Sequence, residues 1–204
     1  APKNHIVQNG DGPPRIVYGK EKPAPWGWRV SSYFLTKGIA AGLTIALALA
    51  LMLGADVTTG WARWGTPLVA GLFLALTGGL LVWDLKRPDR FYYLLTRGNP
   101  SSWLVKGAWV LSAYGAELGV WFLLGVADVS GPLEALIWIG AVHGLGVAGY
   151  TAFLFAQAEG RDLWQSPTLL WHMIAGAFAA GGGFGLLVAL VIDVGETTER
   201  AFAW

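Results

Sequence analysis

Six ionisable side chains stand inside or at the margins of long apolar runs: Lys37, Asp84, Lys106, Glu117, His143 and His172. Such groups are costly in hydrocarbon, and where they occur they mark substrate, ion or proton paths. Glu117 and His143 are set apart because neither lies near an end of its run. Counted from Val126 and from Leu133, both sit about 13–15 Å deep at a helical rise of ~1.5 Å per residue. Consecutive antiparallel helices joined by a short loop pack side by side, so this carboxylate and imidazole can share a proton. Either one alone in hydrocarbon is driven toward its neutral form. Tyr150 and Gln157 follow His143 at spacings of seven, which keeps all three within about 40° of one helix face. Tyr114 shares a face with Glu117, Lys37 with Thr44, and Thr77 with Asp84. Several helices therefore offer polar groups to a common interior. As chemistry, this is a proton path (Glu117, His143, Asp84, His172) or a site for a redox-active ring that exchanges protons with its electrons. As structure, the same groups are interhelical hydrogen bonds that hold a bundle together.

The elements that position these residues follow from composition. The chain has 204 residues, is 54% hydrophobic and only 13% charged, against about 25% charge in soluble domains. Five apolar runs are long enough to cross a hydrocarbon core of about 30 Å: 31–53, 64–83, 103–126, 133–156 and 168–192. The predicted fold is an all-α polytopic transmembrane bundle. An extended tail occupies residues 1–30, with five prolines, and a polar turn at 193–204 leads to the threshold of a possible further span. The N-terminal residues lack the pattern of a cleavable signal.

Of the 14 Lys and Arg, all but Arg63 and Arg200 fall on one side of this topology. That distribution predicts a cytoplasmic N-terminus and a cytoplasmic joint from Trp83 to Trp103. A basic loop that docks a partner protein leaves the same imprint. Lys37 and Lys106 also read as side chains snorkelling to the headgroups. Asp84 reads equally as a helix-end residue paired with an arginine.

Most of the 12 tryptophans fall near predicted span ends, where interfacial aromatics belong. Gly38 and Gly42, Gly115 and Gly119, and Gly140 and Gly144 each place small residues four apart, as close helix packing requires. The run Gly181, Gly182, Gly183, Gly185 lies inside an apolar stretch with no preceding strand and so reads as packing rather than a phosphate loop. Pro100 in Asn99-Pro100-Ser101 rules out a glycosylation acceptor. The absence of cysteine excludes disulfides and thiolate-held iron–sulfur clusters within this chain. No metal centre is expected here, and any redox metal belongs on a partner. His143 and His172 leave b-type haem as an alternative, although His172 lies only about 8 Å from a span end and the two differ in height. Nothing in the pattern calls for a nucleic-acid partner.

The segment from Asp84 to Trp109, DLKRPDRFYYLLTRGNPSSWLVKGAW, resembles the NrfD/PsrC family of membrane subunits related to polysulfide reductase. The resemblance rests on Asp84, Arg87-Pro88, an acidic-Arg-aromatic run, Ser102-Trp103 and Gly107-Ala108-Trp109 between two spans. Tyr150-Thr151, then Trp164 and Pro167 before a Gly/Ala-rich span, extend it over most of residues 31–192. It implies a multi-pass subunit of a bacterial or archaeal inner membrane that interacts with quinone, either menaquinone or ubiquinone. An iron–sulfur protein and a molybdopterin or multihaem cytochrome subunit would be its partners, beside the lipid bilayer. The resemblance implies Tyr150 as the headgroup contact; the reading of the residues themselves adds Lys37 and Tyr114 on the polar faces, His143 as hydrogen-bond partner or proton acceptor, and Glu117 next in the relay. Lys86, Arg87, Arg90 and Arg97 would dock the partner. Members of the family typically have eight or more spans, and only five appear here. A proton-conducting or scaffold subunit with no quinone site is the alternative that the same residues allow.

Overall fold

The computed structural model describes residues 28–85, 87–157 and 166–203. The expectations placed on residues 1–27, on Lys86 as a docking residue, and on Arg161 and Trp164 fall outside these residues. All regular structure among them is helical: α1 (Trp28–Met52), a π turn (Trp61–Gly65) that runs directly into α2 (Thr66–Asp84), a 3-10 turn (Pro88–Arg90), α3 (Tyr93–Thr96), α4 (Trp103–Val126), α5 (Leu133–Ala156), α6 (Leu169–Ala189) and α7 (Glu196–Phe202). Among the described residues five helices, with the π turn counted into α2, are long and apolar enough to cross a membrane. Their limits lie within three residues of the expected spans.

Each helix starts and stops for local reasons. Pro67 stands in the first turn of α2 and Pro132 immediately before α5, where a missing N–H costs nothing. Gly54 takes φ +89° after α1, and Ala55 N–H donates back to Ala50 O at 2.9 Å. This is the glycine-closed helix end in which orphan carbonyls find donors. Asp128 does the same for α4 at φ +62°, unusual for a residue with a Cβ. Its carboxylate there meets Arg63 of the π turn, and Arg63 Nη2 also donates to Gly125 O at 3.1 Å.

Helix α1 is the axis of the bundle. It packs against α2, α5 and α6, while α4 bridges α2 and α5 on the far side. Small residues allow this. A Cβ at Gly42 would lie 2.0 Å from Ala177 O, and one at Gly181 would lie 2.4 Å from Gly42 Cα. Backbone therefore touches backbone where α1 crosses α6, as small-residue interfaces permit in membranes. Gly144 lets α5 approach α1 in the same way, against Ala41 O and Thr44. The expected close packing at Gly115 and Gly119 is not present. Gly119 has open space within 4 Å and Gly115 meets only Leu74 at 3.5 Å. These two residues line a groove of about 520 Å³ between α2 and α4.

Residues after Asp193 do not continue as a polar turn. Helix α7 folds back against α1 and α6, with Phe202 buried against Trp61 and over Gly185. The start of α1 and the 85–102 joint lie at the same end of the bundle. They are tied there by Trp28 against Trp83 and by Arg29, which reaches Asp84 at 3.8 Å and lies 4.8 Å from the Trp83 ring.

Candidate functional site: a polar interior and an apolar cleft

The interior polar groups are stacked at four depths. Nearest the joint, Tyr33 of α1 and Tyr150 of α5 bring their hydroxyls within 2.5 Å. One turn deeper, Lys37 is 3% exposed. Its ammonium donates to Ala148 O at 3.3 Å and to the Thr151 hydroxyl. The rings of Phe34, Tyr33 and Tyr150 stand 4.9, 5.2 and 5.3 Å from it, within the range of cation–π attraction. Beside this group Thr77 of α2 donates to the Thr36 hydroxyl at 2.8 Å.

At mid-depth the fully buried Tyr114 of α4 donates to Ala40 O at 2.8 Å and meets the Thr44 hydroxyl at 2.9 Å. Thr44 also reaches the carbonyls of Ala41 and Gly140. Deeper still, His143 Nδ1 and Glu117 Oε2 are 2.7 Å apart, the pairing expected from their matched depth. The other carboxylate oxygen, Glu117 Oε1, is buried with no hydrogen-bond partner and faces Gly140. The Tyr114 and His143 rings are 6.3 Å apart. Among the described residues no hydrogen bond joins the Tyr33–Tyr150–Lys37 group to these deeper ones.

An apolar cleft of about 270 Å³ opens between α2 and α4 beneath the joint. Leu81 and Val82 form one wall, Leu104 and Ala108 another, and Phe91 and Leu95 of the joint the cover, with Tyr150 at its inner side. It shares Gly78, Leu111 and Ser112 with the longer α2–α4 groove. Tyr150 sits where it does because Gly107 of α4 has no side chain, since a Cβ there would lie 2.3 Å from the tyrosine ring. Trp109, two residues on, donates to Leu95 O at 3.3 Å and holds the cover to α4. The Gly-Ala-Trp run thus positions both Tyr150 and the joint.

The structure separates several residues that the spacing argument placed on one path. Asp84 is half exposed at the joint with Arg29, while Thr77 on its face points inward. His172 is exposed on α6 beside Trp171, away from His143. Gln157 accepts from Trp103 N–H at 3.3 Å and so fastens the start of α4. Lys106 lies 4.4 Å over the Trp103 ring. His143 itself does not line the cleft. Arg87 and Arg90 flank Asp89 on the exposed joint, and Arg97 lies against the Tyr93 ring. Tyr33 was not among the residues singled out from the sequence. The available signal is its spacing, since Tyr33, Lys37 and Thr44 recur at four and seven along one face of α1.

Comparison with known proteins bears on the same residues. The chain is 28% identical over 199 residues to a polysulfide reductase chain of Wolinella succinogenes, covering 85% of this chain and 61% of that protein. It is 28% identical over 201 residues to a putative dimethyl sulfoxide reductase membrane subunit of Halobacterium salinarum, covering 87% of this chain and 46% of that one. It thus spans about half to three-fifths of these relatives' length, and it is a multi-pass membrane protein with prokaryotic relatives. The model of the family described as polysulphide reductase, NrfD, matches residues 16–202, from before the first span through α7. With its five spans, charged joint and Gly107-seated tyrosine, the chain belongs to the polysulphide reductase NrfD family.

Proposed function

We propose that this chain is a membrane subunit of a respiratory oxidoreductase complex that takes a quinone or quinol headgroup in the cleft beside Tyr150. The observation that carries this reading is the cleft itself. It is walled by leucine, valine and phenylalanine, opens along the α2–α4 groove, and has Tyr150 and Ser112 as its hydroxyl-bearing residues. Its volume of about 270 Å³ is just below the usual range of ligand pockets, roughly 300–1,000 Å³, and suits a flat ring whose apolar tail lies elsewhere. The adjoining groove supplies that space. A quinone accepts two electrons and two protons. This chain's part is to bind the ring between α2 and α4, exclude water with the Phe91–Leu95 cover, and offer a hydroxyl network at Tyr150 and Tyr33 through which a proton moves. Electrons would pass to or from an iron–sulfur partner of a molybdopterin or multihaem subunit docked over Arg87, Arg90 and Arg97. The named relatives are membrane subunits or chains of reductases, which favours such an assembly.

Glu117 and His143 fit a second role in the same subunit. Tyr150 and His143 are seven residues apart on α5, or about 10 Å along the axis, so the pair does not touch a ring held at Tyr150. The unpartnered Glu117 Oε1 favours a proton-holding station deeper in the bundle, as the proton-conducting alternative requires.

The test is binding of a tail-less naphthoquinone to the purified protein in detergent, followed by tryptophan quenching. Ala108→Phe places a ring in the cleft and is expected to weaken binding at least about tenfold, roughly 1.4 kcal/mol. Unchanged affinity in that variant would remove the headgroup from this cleft.

A further inference from the structure

Among the described residues, Lys37 is the buried cation that lacks a counterion. The described carboxylates that form ion pairs do so elsewhere: Glu117 with His143, Asp84 with Arg29, Asp128 with Arg63, Asp89 with Arg87 and Arg90, and Glu196 with Arg200. Lys37 is held instead by one carbonyl, one hydroxyl and three aromatic faces. Buried charges are ordinarily paired, so a lone cation behind a cleft is an arrangement that a negative charge arriving from outside would complete.

We propose that Lys37 is the countercharge of the Tyr150 cleft and makes it select ring ligands in their anionic, hydroxyl-deprotonated form over neutral rings of the same shape. This rests on the reading that the cleft takes a quinone-type ring. Lys37 does not line the cleft and acts across the Tyr150 ring, 5.3 Å from its ammonium. The groups facing it from its own helix and from α5 are Tyr33, Phe34, Tyr150, Thr151 and Ala148 O, none of them anionic at neutral pH. With an effective dielectric of about 20, the protonated Lys37, 5.3 Å from the Tyr150 ring and so roughly 8 Å from a ring bound beyond it, favours the anion by about 30-fold. For a quinol bound there, the consequence is that a hydroxyl gives up its proton more readily than in lipid.

Two probes of nearly equal shape separate charge from fit: 2-hydroxy-1,4-naphthoquinone, an anion at neutral pH, and 2-methoxy-1,4-naphthoquinone, which is neutral. Both are titrated into the wild-type protein, Lys37→Met and Lys37→Gln in detergent, with gel filtration and melting to establish folding. The wild type is expected to bind the hydroxy probe at least about tenfold more tightly. Each variant should lose about 30-fold toward the hydroxy probe and less than about threefold toward the methoxy probe. Equal affinities in the wild type, or equal losses for both probes, would overturn the countercharge. If the wild type binds neither probe, it is the headgroup reading of the cleft that falls.

Discussion

Gly107→Ala adds a single methyl group and strikes the link between the joint's Gly-Ala-Trp run and the interior. The new Cβ would lie 2.3, 2.6 and 2.9 Å from Tyr150 Cε2, Cδ2 and Cζ. Carbon atoms in contact prefer about 3.5–4.0 Å, so the ring must retreat by more than about 1 Å. Its hydroxyl is 2.5 Å from Tyr33, and a shift of that size takes the pair beyond hydrogen-bonding range. Overpacking costs about 1–3 kcal/mol, and a buried hydroxyl left without a partner about 1–3 kcal/mol. A loss of about 2–6 kcal/mol follows, or a fall in Tm of roughly 4–24 °C for a chain of this length. Thermal unfolding in detergent reads the stability, and naphthoquinone titration reads the cleft, where affinity should fall at least about tenfold. Gly119→Ala on the same helix is the control, because a Cβ there meets nothing within 4 Å. It should hold or raise stability by up to about 1 kcal/mol through helix propensity. If Gly107→Ala melts and binds as Gly119→Ala does, then Tyr150 is not seated on the α4 backbone and the site's geometry is wrong.

Two other substitutions probe the packing around that site. His143→Leu leaves the Glu117 carboxylate without its partner and should cost about 2–4 kcal/mol. This is below the ~3–5 kcal/mol of a fully buried pair because the His143 side chain is 30% exposed. Adding Glu117→Leu should restore most of that loss in the same melting assay, and failure to do so would mean the pair is not energetically coupled. Gly42→Val drives a side chain into Ala177 O, 2.0 Å from the Cβ position, and should separate α6 from α1. Disulfide trapping between cysteines placed at Gly38 and Ala180 reports it, and undiminished cross-linking would contradict the close crossing.

Depth was legible in the sequence, and direction around each helix much less so. Residue counts from the span ends placed Glu117 and His143 level, and a short loop made them neighbours, so their pairing followed without coordinates. Asp84 and His172 show the limit of the same reasoning. Each lies near a span end, where a small change of helix phase decides between the interior and the surface, and both came out exposed. Gly115 and Gly119 have the spacing of a packing motif, yet they border an open groove, because close approach depends on what the facing helix presents. Tyr33 was hidden by company, standing among Trp28 and Phe34 where membrane-belt aromatics are expected. The acceptors used by Lys37, Tyr114 and Thr44 include backbone carbonyls at Ala148, Ala40 and Gly140, which no side-chain pattern announces.

The central position of α1 sets an order of events during synthesis. It is the first of the five spans in chain order, yet its packing surfaces are supplied by helices that follow. The carbonyl and hydroxyl that hold Lys37 arrive with α5, and the partner of the Gly42 backbone arrives last, with α6. A chain halted before α5 therefore lacks both the carbonyl and the hydroxyl that hold Lys37 in the finished bundle.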